Sequence, residues 1–110
     1  MHPRRGEVWW VAFDPSVGGE IQKTRPALIV SNNAANAALN HLIVVPLTGQ
    51  TAKVYPGQAM VTLNGEARKA MADQLTTASK KRLRSKVGDL SFSDVAAVEG
   101  AILLHLAIRR

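Results

Sequence analysis

The stretch GGEIQKTRPALIVSN (residues 18–32) joins two unlike pieces of chain. Two glycines open it, Glu20, Lys23, Thr24 and Arg25 crowd the residues before Pro26, and Ala27 to Val30 are wholly apolar. An apolar run of that length reads as a strand over residues 26–32 that is buried on both faces. Pro26 restricts Arg25 to an extended backbone, and the rigid strand follows at once. The guanidinium stem is thereby held against the sheet rather than on a flexible tip. A turn needs none of these charges. They either decorate solvent, with Arg25 paired to Glu20 for structural reasons, or they line a site.

Toward the N-terminus, EVWWVAFD (residues 7–14) is β-branched and aromatic and reads as a strand. Trp9 and Trp10 are adjacent and must face opposite sides of it, so one belongs to the core and the other is a candidate for an interface or for base stacking. DPSVGG (residues 14–19) is turn chemistry. Together with Glu20, Lys23 and Arg25 it makes a connection longer than a usual hairpin loop, and long loops in compact domains are often functional.

Toward the C-terminus, NAANAALN (residues 33–40) is either a short helix or a loop. HLIVVPLTG (residues 41–49) is a third strand, with Pro46 marking an edge or a bulge near its end. TAKVYPGQ (residues 51–58) is a loop or an edge segment. AMVTLNG (residues 59–65) is a fourth strand ended by an Asn-Gly turn, and MADQLTTAS (residues 71–79) is a fifth. LSFSDVAAVEGAILLHL (residues 90–106) differs in kind, because Ser91 as N-cap and Asp94 three residues on have the spacing of a capping box. Leu90 and Val95 sit where a hydrophobic staple would place them, and Val95, Val98, Ile102 and Leu106 form one helical stripe. Arg109 and Arg110 lie beyond its C-terminus, where the macrodipole favours cations. The expectation is a mostly β chain, five or more strands closed by one C-terminal helix, as a single domain over residues 1–110.

Composition narrows the function. A chain of 110 residues with 46% hydrophobic and 20% charged residues has the makings of one core and is not disordered. No apolar run approaches the ~18 residues of a membrane span, and the first ten residues lack the apolar stretch of a signal peptide, so a cytoplasmic location is expected. The absence of cysteine removes disulfides, thiol nucleophiles and thiolate metal sites together. His2, His41 and His105 have no ligand spacing, no cofactor motif is present, and neither a metal nor a cofactor is expected. The formal charge of +6 favours a polyanionic partner, although a basic but inert surface accounts for it equally well.

Among single residues, Thr48 follows an apolar strand through Pro46, a position that is usually a turn cap. Asp73 and Gln74 interrupt a strand pattern, one facing each side, and Asp73 reads either as a buried hydrogen-bond anchor or as a cleft residue. KKRLRSK (residues 80–86) holds five of the fourteen cations. It is a solvated turn before the helix, or a surface that biases binding of RNA or a partner protein.

Taken together, RGEVWWVAFDP (residues 5–15), GGEIQKTRPALIVSN, VVPLT (residues 44–48), MADQL (residues 71–75) and KRLRSKVGDLS (residues 81–91) resemble the MazF/PemK family of toxin endoribonucleases. Arg-Pro and Pro-Leu-Thr coming in that order, about twenty residues apart, carry most of the resemblance. It implies an SH3-like barrel of the MazF/CcdB type with a C-terminal helix, working as a homodimer. The implied activity is metal-independent cleavage of single-stranded RNA, leaving a 2′,3′-cyclic phosphate and a 5′-hydroxyl, with a cognate antitoxin as the restraining partner. On this reading Arg25 and Thr48 are the catalytic pair and Glu20 is the loop glutamate. RNA contacts fall to Lys23, Lys53, Asp73, Gln74, Lys80, Lys81 and Arg82.

The chain departs from the family pattern at Ile21, where a glutamine is common, at Gly49 in place of Ser or Thr, and at Thr76 in place of a basic residue. These changes touch base preference and RNA contacts rather than the proposed chemistry. A CcdB-like topoisomerase poison and a non-catalytic SH3-like RNA-binding module are the rival readings, and neither needs the Arg25–Thr48 pair.

Overall fold

The computed structural model describes residues 2–13 and 23–109. Strand β1 (Glu7–Ala12) runs antiparallel to β2 (Thr24–Ile29), with Val8 opposite Leu28 and Val11 opposite Arg25. Strand β3 (His41–Thr48) takes the other side of β2, with Leu28 opposite Val45. The continuous apolar runs of β2 and β3 are explained by this central placement, since Ala27, Leu28, Ile29, Val44, Val45 and Leu47 are all fully buried. Truncating Leu28 to alanine at such a position costs about 2–5 kcal/mol.

Between β2 and β3 the ambiguous segment is a helix, α1 (Asn33–Ala38), capped by Asn32, whose Oδ1 accepts from the Ala35 N–H at 2.8 Å. After β3, strands β4 (Ala59–Leu63) and β5 (Glu66–Ala70) form a hairpin. Asn64 and Gly65 both have positive φ, 51° and 82°, which is what a two-residue turn matched to sheet twist requires. Residues 71–79 are not one strand. A 3₁₀ turn over Ala72–Gln74 precedes a four-residue β6 (Thr76–Ser79), because the Gln74 N–H returns to the Met71 carbonyl at 2.9 Å instead of joining a ladder. A second 3₁₀ turn, Lys80–Arg82, leads into β7 (Leu83–Asp89), so the basic run is half turn and half strand.

The pairings curl the sheet nearly onto itself. Neighbours run β4, β5, β3, β2, β1, β7, and β6 adds to the edge of β3 that β5 uses farther along. The Lys80–Arg82 turn connects β6, paired with β3, to β7, paired with β1. Register shifts in the β1–β7 ladder, between Val8 and Trp9 and between Trp9 and Val11, mark irregularities of the kind that bend a strand. The interior of the curl is filled by Val11, Ala27, Ile29, Leu42, Val44 and Ala78, with Trp9, Phe13 and Leu83 packed against them.

Alternation sends the other side chains outward to a second core. Val8, Leu28, Val45 and Leu47 meet Ala59, Val61 and Leu63 of β4 and Val98 and Ala101 of the last helix. That helix, α2 (Phe92–His105), starts at Ser91, whose Oγ accepts from the Asp94 N–H at 3.1 Å. The capping box is only half formed. The Asp94 carboxylate accepts instead from the Thr62 N–H at 2.8 Å and fastens the helix to β4. The expected stripe holds through Val95, Val98 and Ile102, whereas Leu106 lies past the last helical turn and is 50% exposed.

Candidate functional site

The two prolines locate the site. The recorded β2–β3 pairs are Ile29 with Val44, Leu28 with Val45 and Ala27 with Pro46. Proline donates nothing to a ladder, and the pairing ends at Pro46, with Pro26 the next residue on β2. The same register carried two residues outward sets Arg25 opposite Thr48. On its other side Arg25 pairs with Val11, Thr48 pairs with Lys69, and Lys69 pairs with Met60. Residues opposed across a sheet share a face, so Val11, Arg25, Thr48, Lys69 and Met60 form one row. That row continues the interior face of Ala27 and Val44 to the end of the curl, where Val11 is buried, Arg25, Thr48 and Lys69 are half-buried and Met60 is 40% exposed.

Arg25 therefore does not sit in a loop ahead of the second strand. β2 begins at Thr24, and the arginine rides on paired backbone. At its base the connection is pinned, for the Phe13 N–H donates to the Lys23 carbonyl at 2.9 Å and Lys23 takes a left-handed φ of 66°. Glu20 lies outside the described residues; the segment that carries it returns to the sheet at Lys23, two residues from Arg25.

Thr48 is oriented as well as placed. The Gln50 N–H donates to Thr48 Oγ1 at 3.2 Å, which occupies a lone pair and leaves the hydroxyl proton to be given elsewhere. Beside it, Lys69 Nζ donates to the Lys53 carbonyl at 3.1 Å, which draws the 51–58 loop and its exposed Lys53 to the rim.

Asp73 is close by in the chain path. The Met71 N–H donates to the Pro46 carbonyl at 2.9 Å, so the 3₁₀ turn starts two residues from Thr48 along β3. Asp73 is exposed rather than buried. Its N–H donates to the Gly57 carbonyl at 2.9 Å, and its carboxylate receives a long 3.5 Å contact from Gln58 Nε2. A side chain at Gly57 would meet His105 Nδ1 at 2.9 Å and Asp73 Cβ at 3.2 Å, so the end of α2 closes tightly on this corner. Asp73 and Gln74 do not face opposite sides of a strand, because they share a turn.

The basic run divides. Arg82 Nη1 donates to the Ala12 carbonyl at 3.1 Å, one residue from the Val11 that pairs with Arg25. The Lys80 N–H donates to the Asn40 carbonyl at 2.9 Å, at the opposite end of β3 from Thr48, and Lys81 is exposed beside it. Of the tryptophans, Trp9 packs on the interior core with its indole N–H donated to Glu7 Oε1 at 2.9 Å, while Trp10 is 40% exposed on the other face.

Burial works against the ionised form of Glu7, but the Trp9 indole, the Arg4 amide and the Lys86 ammonium outweigh it and hold the carboxyl below its ordinary value. Lys86, bound first to Asp89 and then to Glu7, is raised in turn. An open cleft of about 330 Å³ lies elsewhere, between α2 and the start of β3, beside the Arg5–Glu99 ion pair. It contains neither Arg25 nor Thr48. Among the described residues no three His, Asp or Glu side chains come together in a metal-binding group.

A curled β-sheet opening at one end onto arginine, threonine and lysine in register defines a small barrel with a cationic mouth, suited to an anionic chain. The chain belongs to the PemK-like, MazF-like toxin family of type II toxin–antitoxin systems, whose sequence profile matches residues 4–106. It is 38% identical over 112 aligned residues to endoribonuclease MazF9 of Mycobacterium tuberculosis, covering 94% of this chain and 95% of that one. The crystal structure of MazF from Deinococcus radiodurans superposes with a TM-score of 0.86 at 26% identity, covering 97% of this chain and 98% of that one. An endoribonuclease from a mycobacterial species, solved with its cognate antitoxin, superposes with a TM-score of 0.82 at 24% identity and 98% coverage of both chains.

Lys69 is the site residue that sequence reasoning missed. The signal was present: an Asn-Gly hairpin turn carries Leu63 onto Glu66 and so sets Lys69 opposite Met60. Gly57 and His105 carried no comparable signal, since their approach is made only by the packing of α2.

Proposed function

We infer that this chain is a toxin endoribonuclease that cuts single-stranded RNA by attack of the 2′-hydroxyl on the adjacent phosphate, without a metal ion. The observation that supports the reading is the β2–β3 register, which ends at Ala27 opposite Pro46 and, continued two residues, brings Arg25 and Thr48 together at the open end of the barrel. Attack forms the P–O2′ bond and breaks the P–O5′ bond, leaving a 2′,3′-cyclic phosphate and a 5′-hydroxyl. The 2′-hydroxyl loses its proton and the departing 5′-oxygen gains one.

Negative charge grows on the non-bridging phosphate oxygens in the transition state, and donors held on rigid strands stabilise it at little reorganisation cost. The guanidinium of Arg25 suits this work and does not suit that of a base, because it is hardly ever deprotonated. Thr48, with a lone pair already occupied by the Gln50 N–H, is set to donate its proton to a phosphate oxygen. Glu20 is the proposed base, on a segment anchored at Lys23. Lys23, Lys53 and Arg82 border the mouth and provide RNA contacts, Asp73 and Gln74 offer base contacts from their turn, and Lys80 and Lys81 extend the positive surface away from it.

The partners follow from the family and from charge. A chain of formal charge +6 attracts an acidic, initially disordered antitoxin segment over long range, and the structural neighbour solved with its cognate antitoxin is a precedent for such a complex. A homodimer is the proposed working form; Leu104, Leu106 and Ile108, all about half exposed or more at the end of α2, are apolar surface that an interface would cover. Incubating the purified protein with a long single-stranded RNA tests the reading. Discrete cleavage bears it out, and intact RNA beside a blocked topoisomerase or simple RNA retention replaces it with one of the two rivals.

A further inference from the structure

Thr48 has a cation on each side of it in the sheet. The β2–β3 register, which ends at Ala27 opposite Pro46, brings Arg25 to one side of Thr48 when continued two residues, and Lys69 is the direct partner of Thr48 on β5. Arg25 and Lys69 are thus two strand spacings apart, about 9–10 Å between backbones, on one face. Side chains as long as these can converge across that gap, but the Lys69 ammonium is already engaged at the Lys53 carbonyl, which suits it to a neighbouring phosphate of an extended strand.

The surroundings of Lys69 fit a phosphate contact. Lysine is depleted in strands, and here it stands on the face of the β4–β5 hairpin that turns away from the second core, paired with exposed Met60 and with Thr48. Its ammonium gives one of three N–H donors to the Lys53 carbonyl at 3.1 Å, which holds the head in place and leaves its charge intact. Arg68, the preceding residue on the opposite face of the same strand, is instead neutralised by Glu66 at 3.5 Å. The row ends at Met60, 40% exposed, so the approach to Lys69 is open from solvent.

We propose that Lys69 binds the RNA phosphate next to the one that is cut, and so holds the strand at the mouth without acting on the reacting phosphate. The proposal rests on the ribonuclease reading given above. A contact to the backbone carries no base information, so it raises affinity for every sequence alike.

Two variants separate this from a purely structural tether of the loop. Lys69→Gln keeps a donor for the Lys53 carbonyl and loses the charge, whereas Lys69→Arg keeps the charge. Steady-state cleavage of two RNAs of different base sequence is measured, together with the salt dependence of binding to a 2′-deoxy analogue that cannot be cut. For Lys69→Gln the expected result is a KM raised about tenfold on both RNAs, kcat within about twofold, and a log–log salt slope shallower by about 0.7, the loss of one single-strand phosphate contact. Lys69→Arg is expected to keep the wild-type slope. An unchanged KM and slope in Lys69→Gln overturns the proposal and leaves Lys69 as a loop tether. A loss confined to kcat, or to one of the two RNAs, overturns it as well. If wild-type protein cleaves neither RNA, the ribonuclease reading itself fails; if wild type cleaves and Lys69→Gln matches it, only the role of Lys69 fails.

Discussion

Thr48 on β3 and Lys69 on β5 are paired across an antiparallel ladder, and the ladder on the other side of Thr48 leads to Arg25. Three polar side chains on three neighbouring strands are placed by pairing alone, with two prolines marking where the hydrogen-bonded sheet gives way to an open rim. The site is therefore as rigid as the barrel that carries it, and its residues can be changed with small effects on the cores behind them.

Arg25→Ala is expected to lower the cleavage rate by about a hundredfold to a thousandfold, the usual effect of removing one donor to a developing oxyanion. Arg25→Lys should recover little, because a point charge does not reproduce the planar fork on a phosphate. Far-UV circular dichroism should stay as in wild type, since Arg25 belongs to neither core. Near-wild-type cleavage by Arg25→Ala would remove the arginine from the mechanism.

Thr48→Ala should be impaired by an equal or smaller factor, and Thr48→Ser should recover most of the rate by restoring a hydroxyl that the Gln50 N–H can orient. Single-turnover rates at saturating RNA make the comparison. A Thr48→Ser as poor as Thr48→Ala would mean that the methyl group, not the hydroxyl, is what matters.

An antitoxin segment that occupies the cationic mouth should compete with RNA, and both complexes should weaken as salt rises. Titrating the acidic partner into a fluorescent RNA analogue reads this directly. Simultaneous binding without displacement would place the antitoxin elsewhere and leave the nuclease assignment standing.

The folded-state pKa of Glu7 lies below its ordinary 4.5, so its contribution to stability is complete above that value and is lost as pH falls through the folded one. Thermal melts from about pH 6 to about pH 3 should show a falling midpoint, and Glu7→Gln should flatten that fall. An unchanged acid slope in Glu7→Gln would assign the effect to other carboxylates.

Much of this was legible in the residues. The unbroken apolar runs of β2 and β3 announced strands buried on both faces, and Ser91 announced the start of α2. Strands β5 and β7 were hidden because Arg68, Lys69, Arg84 and Lys86 put charge within them, which blurs alternation into what reads as a solvated turn. Read alone, the apolar run puts Pro26 at the head of its strand, yet β2 tolerates it two residues in, at the margin where its ladder to β3 is ending. Asp94 shows the same limit: its spacing from Ser91 fitted a capping box, but only the fold could bring Thr62 within reach of its carboxylate. Arg25 and Thr48 could be singled out one at a time; that they stand in register depends on strand pairing.

The most direct test of the mouth as a site of 2′-hydroxyl attack is one cleavage reaction in excess EDTA. Two matched RNAs are compared, one all-ribose and one with a single 2′-deoxy sugar on the 5′ side of the scissile bond, and the product ends are analysed. Cutting of the ribose substrate to a 2′,3′-cyclic phosphate and a 5′-hydroxyl, with the deoxy substrate bound but intact, is the predicted result. Cleavage of the deoxy substrate, 5′-phosphate ends, or loss of activity in EDTA would contradict it.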